Sequence, residues 1–221
     1  MPLSSRRVRS TLGAAWIARL LVIATLGGAA ATAQAEDAID VASPGKILQV
    51  TVEVDGGTPY YRVQRLGEPV VERSRLGFQL RDGRLDRGLQ VLSQARSSHD
   101  DTWEQPWGET RLVRNHYNEL RVSLGEREGA QRRFDVIVRV YDDGLGLRYH
   151  FPAQAGLREA IIDEEVTEFA IAQPSEAWWI PAGEPIHYEY LYQRTPLNEV
   201  ALAHTPLTLR SRNGLHLSLI H

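Results

Sequence analysis

The amino-acid sequence predicts an all-β fold, and two observations lead to this prediction. Several runs of residues alternate apolar and polar side chains at a period of two, as strands with one buried face do. Turn sequences that contain glycine separate these runs at short spacing, at residues 55–57, 66–69, 81–83, 142–144 and 213–214. Many short strands joined by such turns favour a β-sandwich or a barrel over an α/β fold.

The individual strands are predicted in chain order from this alternation. The alternating runs are residues 48–54, 61–64, 78–80, 119–124, 134–141, 146–151 and 169–172. Asp142 to Gly144 tolerate the left-handed conformations that a tight hairpin needs, and Gly125 to Gly129 form a second polar link. Pro152 cannot donate to a strand ladder and therefore ends the last strand of this group. Residues 88–95 are compatible with a helix, but the β-branched Val91 favours an extended conformation.

Residues 1–35 predict a secretory signal peptide that is not part of the fold. Arginines near the start precede an apolar run, and a small-residue cleavage site follows that run. The apolar run spans about twelve residues, which is short of the roughly 20 that a membrane anchor needs. We therefore expect export to a bacterial periplasm or outer surface, with no membrane attachment after cleavage. The features that carry this prediction are Arg6, Arg7 and Arg9, the run from Leu20 to Ala31, and Ala33-Gln34-Ala35.

Composition argues against further classes of function. The net charge is −3 and the basic residues are interspersed with acidic ones, so the sequence does not predict nucleic-acid binding. The chain contains no cysteine, so neither disulfides nor thiol chemistry contribute to the exported protein. We expect one domain over residues 36–221, because a β-sandwich of this length commonly forms a single unit.

Short motifs along the chain are its most specific feature. In order they are Ser43 to Lys46, Pro59 to Tyr61, Ser74 to Gly77, Trp107 to Glu109, Asn115 to Glu119, Val140 to Pro152, Glu165 to Phe169, Trp178-Trp179, Tyr188 to Tyr192 and Thr195 to Leu197. The residues of these motifs and their order along the chain resemble those of the N-terminal domain of glycoside hydrolase family 97. The resemblance runs from about Ser43 to His221 and covers nearly all of the chain after the predicted signal peptide.

The resemblance implies a β-supersandwich similar to galactose mutarotase, as one part of a larger α-glycosidase. Members of the family continue into a (β/α)8 barrel that carries the catalytic carboxylates, so we expect no catalytic residue in this chain. Residues 215–220 alternate like the interior of a strand, which adds the expectation that the chain is a fragment. The implied substrate is an α-linked oligosaccharide. The choice between glucoside and galactoside, and between inversion and retention, stays open.

Four residues near the predicted strand at 119–124 are candidates for substrate binding. Asn115, His116 and Glu119 offer an amide, an imidazole and a carboxylate that can hydrogen-bond several sugar hydroxyls at once. Trp107 can stack on the face of a sugar, as can Trp103. The alternative is structural, with the polar groups satisfying backbone atoms in a turn and the indoles buried in the core.

Glu189 is the candidate metal ligand. In calcium-dependent members of the family, the N-terminal domain contributes one glutamate to a calcium ion shared with the barrel, and the resemblance places Glu189 there. Its aromatic neighbours would exclude water and strengthen the attraction between a carboxylate and a hard cation. The alternative is an outward-facing strand glutamate between core residues. The acidic runs at 99–104 and 164–168 are predicted to be solvated loops without a metal ion.

The sequence leaves three functions open. The first is the carbohydrate-binding N-terminal domain of an exported family 97 α-glycosidase, which covers one side of the active site and is inactive alone. The second is a free-standing carbohydrate-binding module that uses residues 107–119. The third, a mutarotase-like enzyme, needs a general acid and a general base such as His116 and Glu189.

Overall fold

The regular structure of the chain is almost entirely β-strand. The computed structural model describes residues 38–184 and 188–221, which fall within one compact unit, residues 34–221. The predicted signal peptide lies outside the described residues, and so does His187, a further residue that the sequence predicts could line the same cleft as Glu189. Strands and one short 3₁₀ turn, Leu197–Glu199, make up the regular elements, which confirms the predicted fold class. No helix in the described part of the chain is long and apolar enough to cross a membrane.

The strands are numbered in chain order. They are β1 (Ile39–Ala42), β2 (Leu48–Asp55), β3 (Thr58–Arg65), β4 (Glu68–Arg75), β5 (Phe78–Leu80), β6 (Gly83–Arg84), β7 (Leu89–Glu104), β8 (Leu112–Glu126), β9 (Arg133–Val140), β10 (Leu145–His150), β11 (Ile162–Glu165), β12 (Ser175–Trp179), β13 (Gln193–Pro196), β14 (Leu207–Ser211) and β15 (His216–Leu219).

These strands form four antiparallel sheets. The first sheet has the order β1-β2-β3-β4, and the second sheet has the order β10-β9-β8-β7. A small sheet has the order β11-β5-β6, and the C-terminal sheet has the order β13-β12-β14-β15. Neighbours within the first and second sheets are also neighbours in sequence, so hairpins connect them. In the β2–β3 turn, Gly56 and Gly57 have φ angles of 56° and 83°, which glycine adopts at little cost.

The first and second sheets supply the main hydrophobic core. Val50 and Val52 of β2 belong to the same buried cluster as Val122 of β8 and Val136 of β9, and none of the four is more than 1% exposed. Every second residue of these strands faces this core, because successive side chains of a strand point to opposite faces. Burying each such side chain stabilises the fold by about 1.5–3 kcal/mol.

The C-terminal sheet has a smaller core of its own. Ala177 and Trp179 of β12 and Leu209 of β14 are its buried members. Ile171 and Leu217 pack against both this cluster and the main core. The C-terminal sheet is therefore joined to the sandwich by direct apolar contact.

The predicted hairpin around Asp142 to Gly144 is confirmed, because the Tyr141 amide donates to the Gly144 carbonyl over 2.8 Å between β9 and β10. The predicted strand at 169–172 is wrong. Ile171 makes an isolated bridge to Val71, and no strand forms there. Residues 89–95 are extended within β7 and not helical, in line with the prediction, and Gly88 precedes the strand.

Two acidic runs predicted as loops are partly strand. Residues 99–104 form the end of β7, and Glu164 and Glu165 lie in β11. The side chains of these segments are exposed on both faces. The apolar alternation that reveals a half-buried strand is therefore absent from their sequence.

Candidate functional site

A two-stranded ribbon carries most of the residues predicted to bind substrate. Asn118 to Gly125 of β8 pair with β9, whereas Leu112 to Tyr117 pair with β7 and extend past β9. We call residues 98–117, the projecting ends of β7 and β8 with their connecting turn, the ribbon. The Gln105 amide donates to the Arg111 carbonyl over 3.0 Å and closes the turn. Trp107 lies in this turn with 84% of its surface exposed.

The ribbon separates the predicted substrate-binding residues onto two faces. Asn115 and Glu119 are odd-numbered residues of β8, so their side chains point to the same face. His116 is even-numbered, so its side chain points to the other face. A ligand that lies on one face can reach Asn115 and Glu119, or His116, but not all three.

The outer face, which points away from the first sheet, is densely hydrogen-bonded. Arg139 donates to Glu119 over 2.7 Å, and its guanidinium lies 4.6 Å from the Tyr117 ring centroid. The Tyr141 hydroxyl donates to Asn115 Oδ1 over 3.1 Å. Asn115 and Glu119 therefore already have protein partners. Trp103 is 47% exposed and offers free aromatic area on this face.

The inner face holds a charged cluster next to the Ser43 to Lys46 motif. Arg114 donates two 2.8 Å hydrogen bonds to Asp100 and lowers the pKa of that carboxyl. His116 Nε2 lies 3.9 Å from the same carboxylate.

Asp142 joins the inner-face cluster to the β1–β2 turn. The Gly45 amide donates to Asp142 Oδ1 over 2.7 Å. Hydrogen bonds from the Ser43 hydroxyl and from this amide lower the pKa of Asp142. A Cβ on Gly45 would lie 2.6 Å from Asp142 Oδ2, so a larger residue here would displace the carboxylate that accepts from the Gly45 amide. The Ser43 to Lys46 motif thus has a structural role at this contact.

The C-terminal sheet separates the two tryptophans of the Trp178-Trp179 motif. Trp179 is 5% exposed in the smaller core, and its indole donates to Thr195 over 3.1 Å. Trp178 points to the opposite face, where the guanidinium groups of Arg194 and Arg210 lie 5.2 and 5.5 Å from its ring centroid.

A shared carboxylate completes the arrangement around Trp178. Arg194 and Arg210 each approach Glu176 to 2.7 Å. These hydrogen bonds lower the pKa of Glu176. Sequence reasoning missed the cluster, because Arg194 and Arg210 come from different strands and only the sheet register brings them to Glu176.

Glu189 lies in an exposed, irregular segment between β12 and β13. We call residues 188–192 the tyrosine segment. Leu191 is 89% exposed and Tyr192 63%, and Glu189 itself is exposed. The expectations that Glu189 lies in a strand, and that its neighbours shield it from water, are therefore wrong for the described chain. The Tyr188 hydroxyl donates to the Thr205 carbonyl over 3.2 Å.

The described residues do not complete a metal site around Glu189. They contain no cluster of three or more His, Cys, Asp or Glu side chains placed to hold one ion. Calcium takes six to eight oxygen ligands, of which Glu189 supplies one carboxylate. Any calcium bound there needs further ligands from outside the described residues.

A groove of about 590 Å³ lies between the first sheet, the β9–β10 turn and β15. Tyr61, Phe169, Leu217 and Leu219 give it apolar walls, and Asp142 lies at its rim. Sequence reasoning missed this groove because its walls come from segments far apart in the chain.

Comparison with known proteins identifies the family. The sequence model of the family described as glycosyl hydrolase 97, N-terminal, matches residues 41–221 of this chain. A glycoside hydrolase family 97 enzyme from Pseudoalteromonas sp. strain K8, solved in complexes with panose and with acarbose, aligns with a TM-score of 0.78 and 34% identity, over 81% of this chain and 28% of that chain. A β-arabinopyranosidase structure aligns with a TM-score of 0.74 at 23% identity, over 81% of this chain and 31% of that chain, and supports the fold alone.

A curated relative points to the same family. A probable retaining α-galactosidase from Streptomyces bingchenggensis (strain BCW-1) is 28% identical over 178 residues, which are 79% of this chain and 27% of the relative. The chain thus spans between a quarter and a third of the length of the proteins it matches. The match over residues 41–221 and the shared fold show that the chain belongs to glycoside hydrolase family 97, through its N-terminal domain.

Proposed function

We propose that this chain is the N-terminal domain of an exported α-glycosidase, which packs on a (β/α)8 catalytic barrel, covers one side of its active site and has no hydrolase activity alone. The observation that carries the proposal is the exposed apolar surface of the tyrosine segment. Leu191 and Tyr192, which are adjacent in sequence, are 89% and 63% exposed. Large apolar side chains exposed together mark a surface that another body covers.

A polar atom next to the tyrosine segment supports the same proposal. The ring of His204 packs against Tyr188 with a centroid distance of 4.7 Å. His204 Nε2 is buried and has no hydrogen-bond partner among the described residues. Buried polar atoms normally have partners, so an additional partner for His204 is expected at this surface.

The relatives support the substrate class. One is named a probable retaining α-galactosidase, and another is solved with panose and with acarbose. An α-linked oligosaccharide is therefore the substrate class we propose, bound mainly by the barrel. The catalytic carboxylates are proposed to lie in the part of the full-length enzyme that this chain does not match, and the coverage of 28% of the Pseudoalteromonas enzyme supports this.

Glu189 is the residue through which this domain would hold calcium jointly with the barrel. The ion, when bound, would supply a fixed positive charge and coordination sites that orient the substrate and the carboxylates around it. The exposed carboxylate of Glu189 is free of ion pairs among the described residues and is accessible to a second domain. The surrounding tyrosine segment would then fix its position by packing on that domain.

Export is the remaining part of the proposal. It rests on the arginines before residue 10, the apolar run from Leu20 to Ala31 and the Ala33-Gln34-Ala35 site, which together have the order of a secretory signal peptide. N-terminal sequencing of the protein recovered from the periplasm tests it. A mature start at Glu36 is expected, and recovery of the protein only from the cytoplasm with an intact Met1 would contradict export.

The experiment that tests the domain assignment begins with the gene beyond the codon for His221. The encoded continuation, produced as a separate polypeptide, is assayed on aryl α-glucosides and α-galactosides with and without this chain. We expect neither part to be active alone and the mixture to be active. A continuation without barrel periodicity, or a barrel that is fully active alone, would contradict the proposal.

A matched pair of variants tests the calcium contribution in the same mixture. Glu189→Gln should raise the calcium concentration needed for half-maximal activity by at least about tenfold, the loss that even an outer-shell partner of a metal ligand causes. Glu184→Gln, an exposed glutamate five positions earlier, should leave it unchanged. Equal calcium requirements for the two variants would remove Glu189 from the proposed site.

A free-standing carbohydrate-binding module is the second candidate, and the exposure of Trp103 and Trp107 favours it. Calorimetric titration of the chain with panose tests it. Millimolar binding would support the module if Trp107→Ala abolishes it and Leu66→Ala preserves it. Leu66 is the control because it also lies at an exposed hairpin tip. The mutarotase-like alternative has less support, because no hydrogen bond or ion pair in the described residues joins His116 to Glu189.

A further inference from the structure

The longest strand of the described chain lies at an open edge of its sheet. β7 spans Leu89–Glu104 and is last in the order β10-β9-β8-β7. The edge of the first sheet at β4 is covered, because the amides of Glu72 and Ala172 exchange hydrogen bonds with the carbonyls of Ala170 and Val70. No described strand lies along β7 in this way. An open edge of this length is a template for pairing with another strand.

The hydrogen bonds of β8 show which backbone groups of β7 are free. The Glu126 amide donates to the Arg132 carbonyl, so the even-numbered residues of β8 bond to β9 and the odd-numbered ones bond to β7. In the register of β7 and β8, Ser97 pairs with Glu119. From Ser93 onward, the backbone amide and carbonyl groups of the odd-numbered residues of β7 therefore point toward β8. The amide and carbonyl groups of its even-numbered residues, 94 to 104, therefore point out of the sheet.

A groove with unpaired positive charge runs beside this edge. It has a volume of about 530 Å³ and is lined by the β1–β2 turn and by Arg96 to Ser98. Lys46 and Arg96 contribute to it, and in the described chain neither has a carboxylate within ion-pair distance. The two acidic groups of the groove are engaged, since Asp40 accepts from Thr51 and Glu119 from Arg139.

The end of β7 carries the complementary charge. Asp100 and Glu104 are exposed, have the same parity as Arg96, and therefore share the face that borders the groove. Arg114 occupies Asp100 with two hydrogen bonds, but a carboxylate has capacity for about four. A strand that pairs antiparallel with Arg96 and presents Asp100 opposite it would place acid against base at the groove.

We propose that β7 pairs antiparallel with β7 of a second copy of this chain, about a twofold axis at Ser98. The pairing makes one continuous eight-stranded sheet from the two second sheets. An even-numbered residue of one β7 must lie opposite an even-numbered residue of the other, because both must direct their backbone amide and carbonyl groups to the shared edge. With Ser98 opposite Ser98 of the partner, Arg96 faces the partner's Asp100, and Gln94 faces the partner's Thr102.

Neighbouring registers are less favourable by charge. Moving the axis by one residue, to Ser97 or His99, would place Arg96 opposite the partner's Ser98 or Thr102 and give no pair of opposite charges among the directly opposed residues. Moving the axis to Asp100 would put two aspartates directly opposite each other, and moving it to Arg96 would do the same with two arginines. Like charges opposite each other destabilise a strand pair. The axis at Ser98 gives two symmetric pairs of opposite charge and no like pair among the directly opposed residues. This inference stands apart from the proposed function and does not depend on it.

Cysteine variants test the register directly, because the chain has no cysteine of its own. The whole chain is used, carrying Ser98→Cys, Thr102→Cys or Gln94→Cys under mild oxidation. The Cα atoms of directly opposed residues lie about 5.5 Å apart, within the range for a disulfide. We expect Ser98→Cys to cross-link at least about tenfold faster than either other variant alone. An equimolar mixture of Thr102→Cys and Gln94→Cys should cross-link as rapidly as Ser98→Cys.

Sedimentation equilibrium tests the charge pairing. Arg96→Glu places like charges opposite each other twice and should weaken dimerisation by about tenfold or more. The control is Arg133→Glu, an exposed arginine of β9 whose replacement changes the net charge equally. Circular dichroism confirms that both variants fold. A monomeric parent chain, equal weakening by the two variants, or cross-linking at residue 98 no faster than at 102 would each overturn the proposal.

Discussion

Replacing Glu126 by glutamine should destabilise the domain strongly, because Arg132 would lose its main counter-charge in a buried position. The two side chains are 11% and 8% exposed. Arg132 donates three hydrogen bonds to the Glu126 carboxylate, from its amide over 2.8 Å, from Nε over 3.1 Å and from Nη2 over 2.6 Å. It also approaches Asp82 to 3.2 Å, but that carboxylate is 70% exposed.

The magnitude follows from what glutamine retains. Removing one partner of a buried ion pair costs about 3–5 kcal/mol. Glutamine keeps the shape and one acceptor oxygen, and Asp82 retains part of the compensating charge, so we expect a loss of about 2–3 kcal/mol. Urea unfolding followed by tryptophan fluorescence at pH 7 measures it. Glu104→Gln is the control, because Glu104 and Arg111 are 57% and 79% exposed and such a pair contributes about 0–1 kcal/mol.

The pH dependence of this difference gives a second test. Burial alone would raise the pKa of Glu126, but the hydrogen bonds and charge of Arg132 outweigh it and lower the pKa. A lowered folded-state pKa stabilises the fold above the unfolded-state value, about 4.3, and this contribution is lost as the pH falls through the folded-state value. The gap between parent and variant should be constant at neutral pH and shrink in acid. A cost equal to that of Glu104→Gln, or a gap unchanged in acid, would refute the reasoning.

Three further changes test the fold. Phe134→Ala empties a fully buried position and should cost about 3–5 kcal/mol by calorimetry. Gly77→Ala should cost at least about 2 kcal/mol, since its φ is 120° and a Cβ would lie 2.4 Å from the Leu85 carbonyl oxygen. The control Gly67→Ala has φ 85° but lies in open space, so it should cost about 1 kcal/mol. Equal costs for the two variants would contradict the close approach at Gly77. Asp135→Asn weakens hydrogen bonds at a carboxylate that is 7% exposed and should cost about 1–3 kcal/mol in urea unfolding, a difference that an exposed site would not show.

The site could be predicted only in part. The sequence offers Trp107 either as a platform for a sugar ring or as a core residue, and the structure exposes it in the ribbon turn. That Asn115 and His116 point to opposite faces depends on both belonging to β8, whose start at Leu112 no local pattern shows. The shared ion pairs of Glu176 with Arg194 and Arg210 depend on the register of three strands. Sequence spacing does not contain that register.

The sequence by itself determined the strands that have one buried face and the turns between them. In β9, apolar residues recur with a period of two at Phe134, Val136, Val138 and Val140 because these residues face the main core. Asp142 to Gly144 close the next hairpin through local backbone preferences. These signals are local, so a single chain contains them.

The tertiary structure alone decided the length of β7, the open edge beside Arg96 and the exposure of the tyrosine segment. A ribbon solvated on both faces has no apolar alternation to mark it as strand. Whether an aromatic run such as Tyr188 to Tyr192 is core or surface depends on which distant segments pack against it. The hydrophobic effect is non-directional, so an apolar side chain does not select its own partner. The pairing of segments far apart in the chain decides which apolar residues become buried.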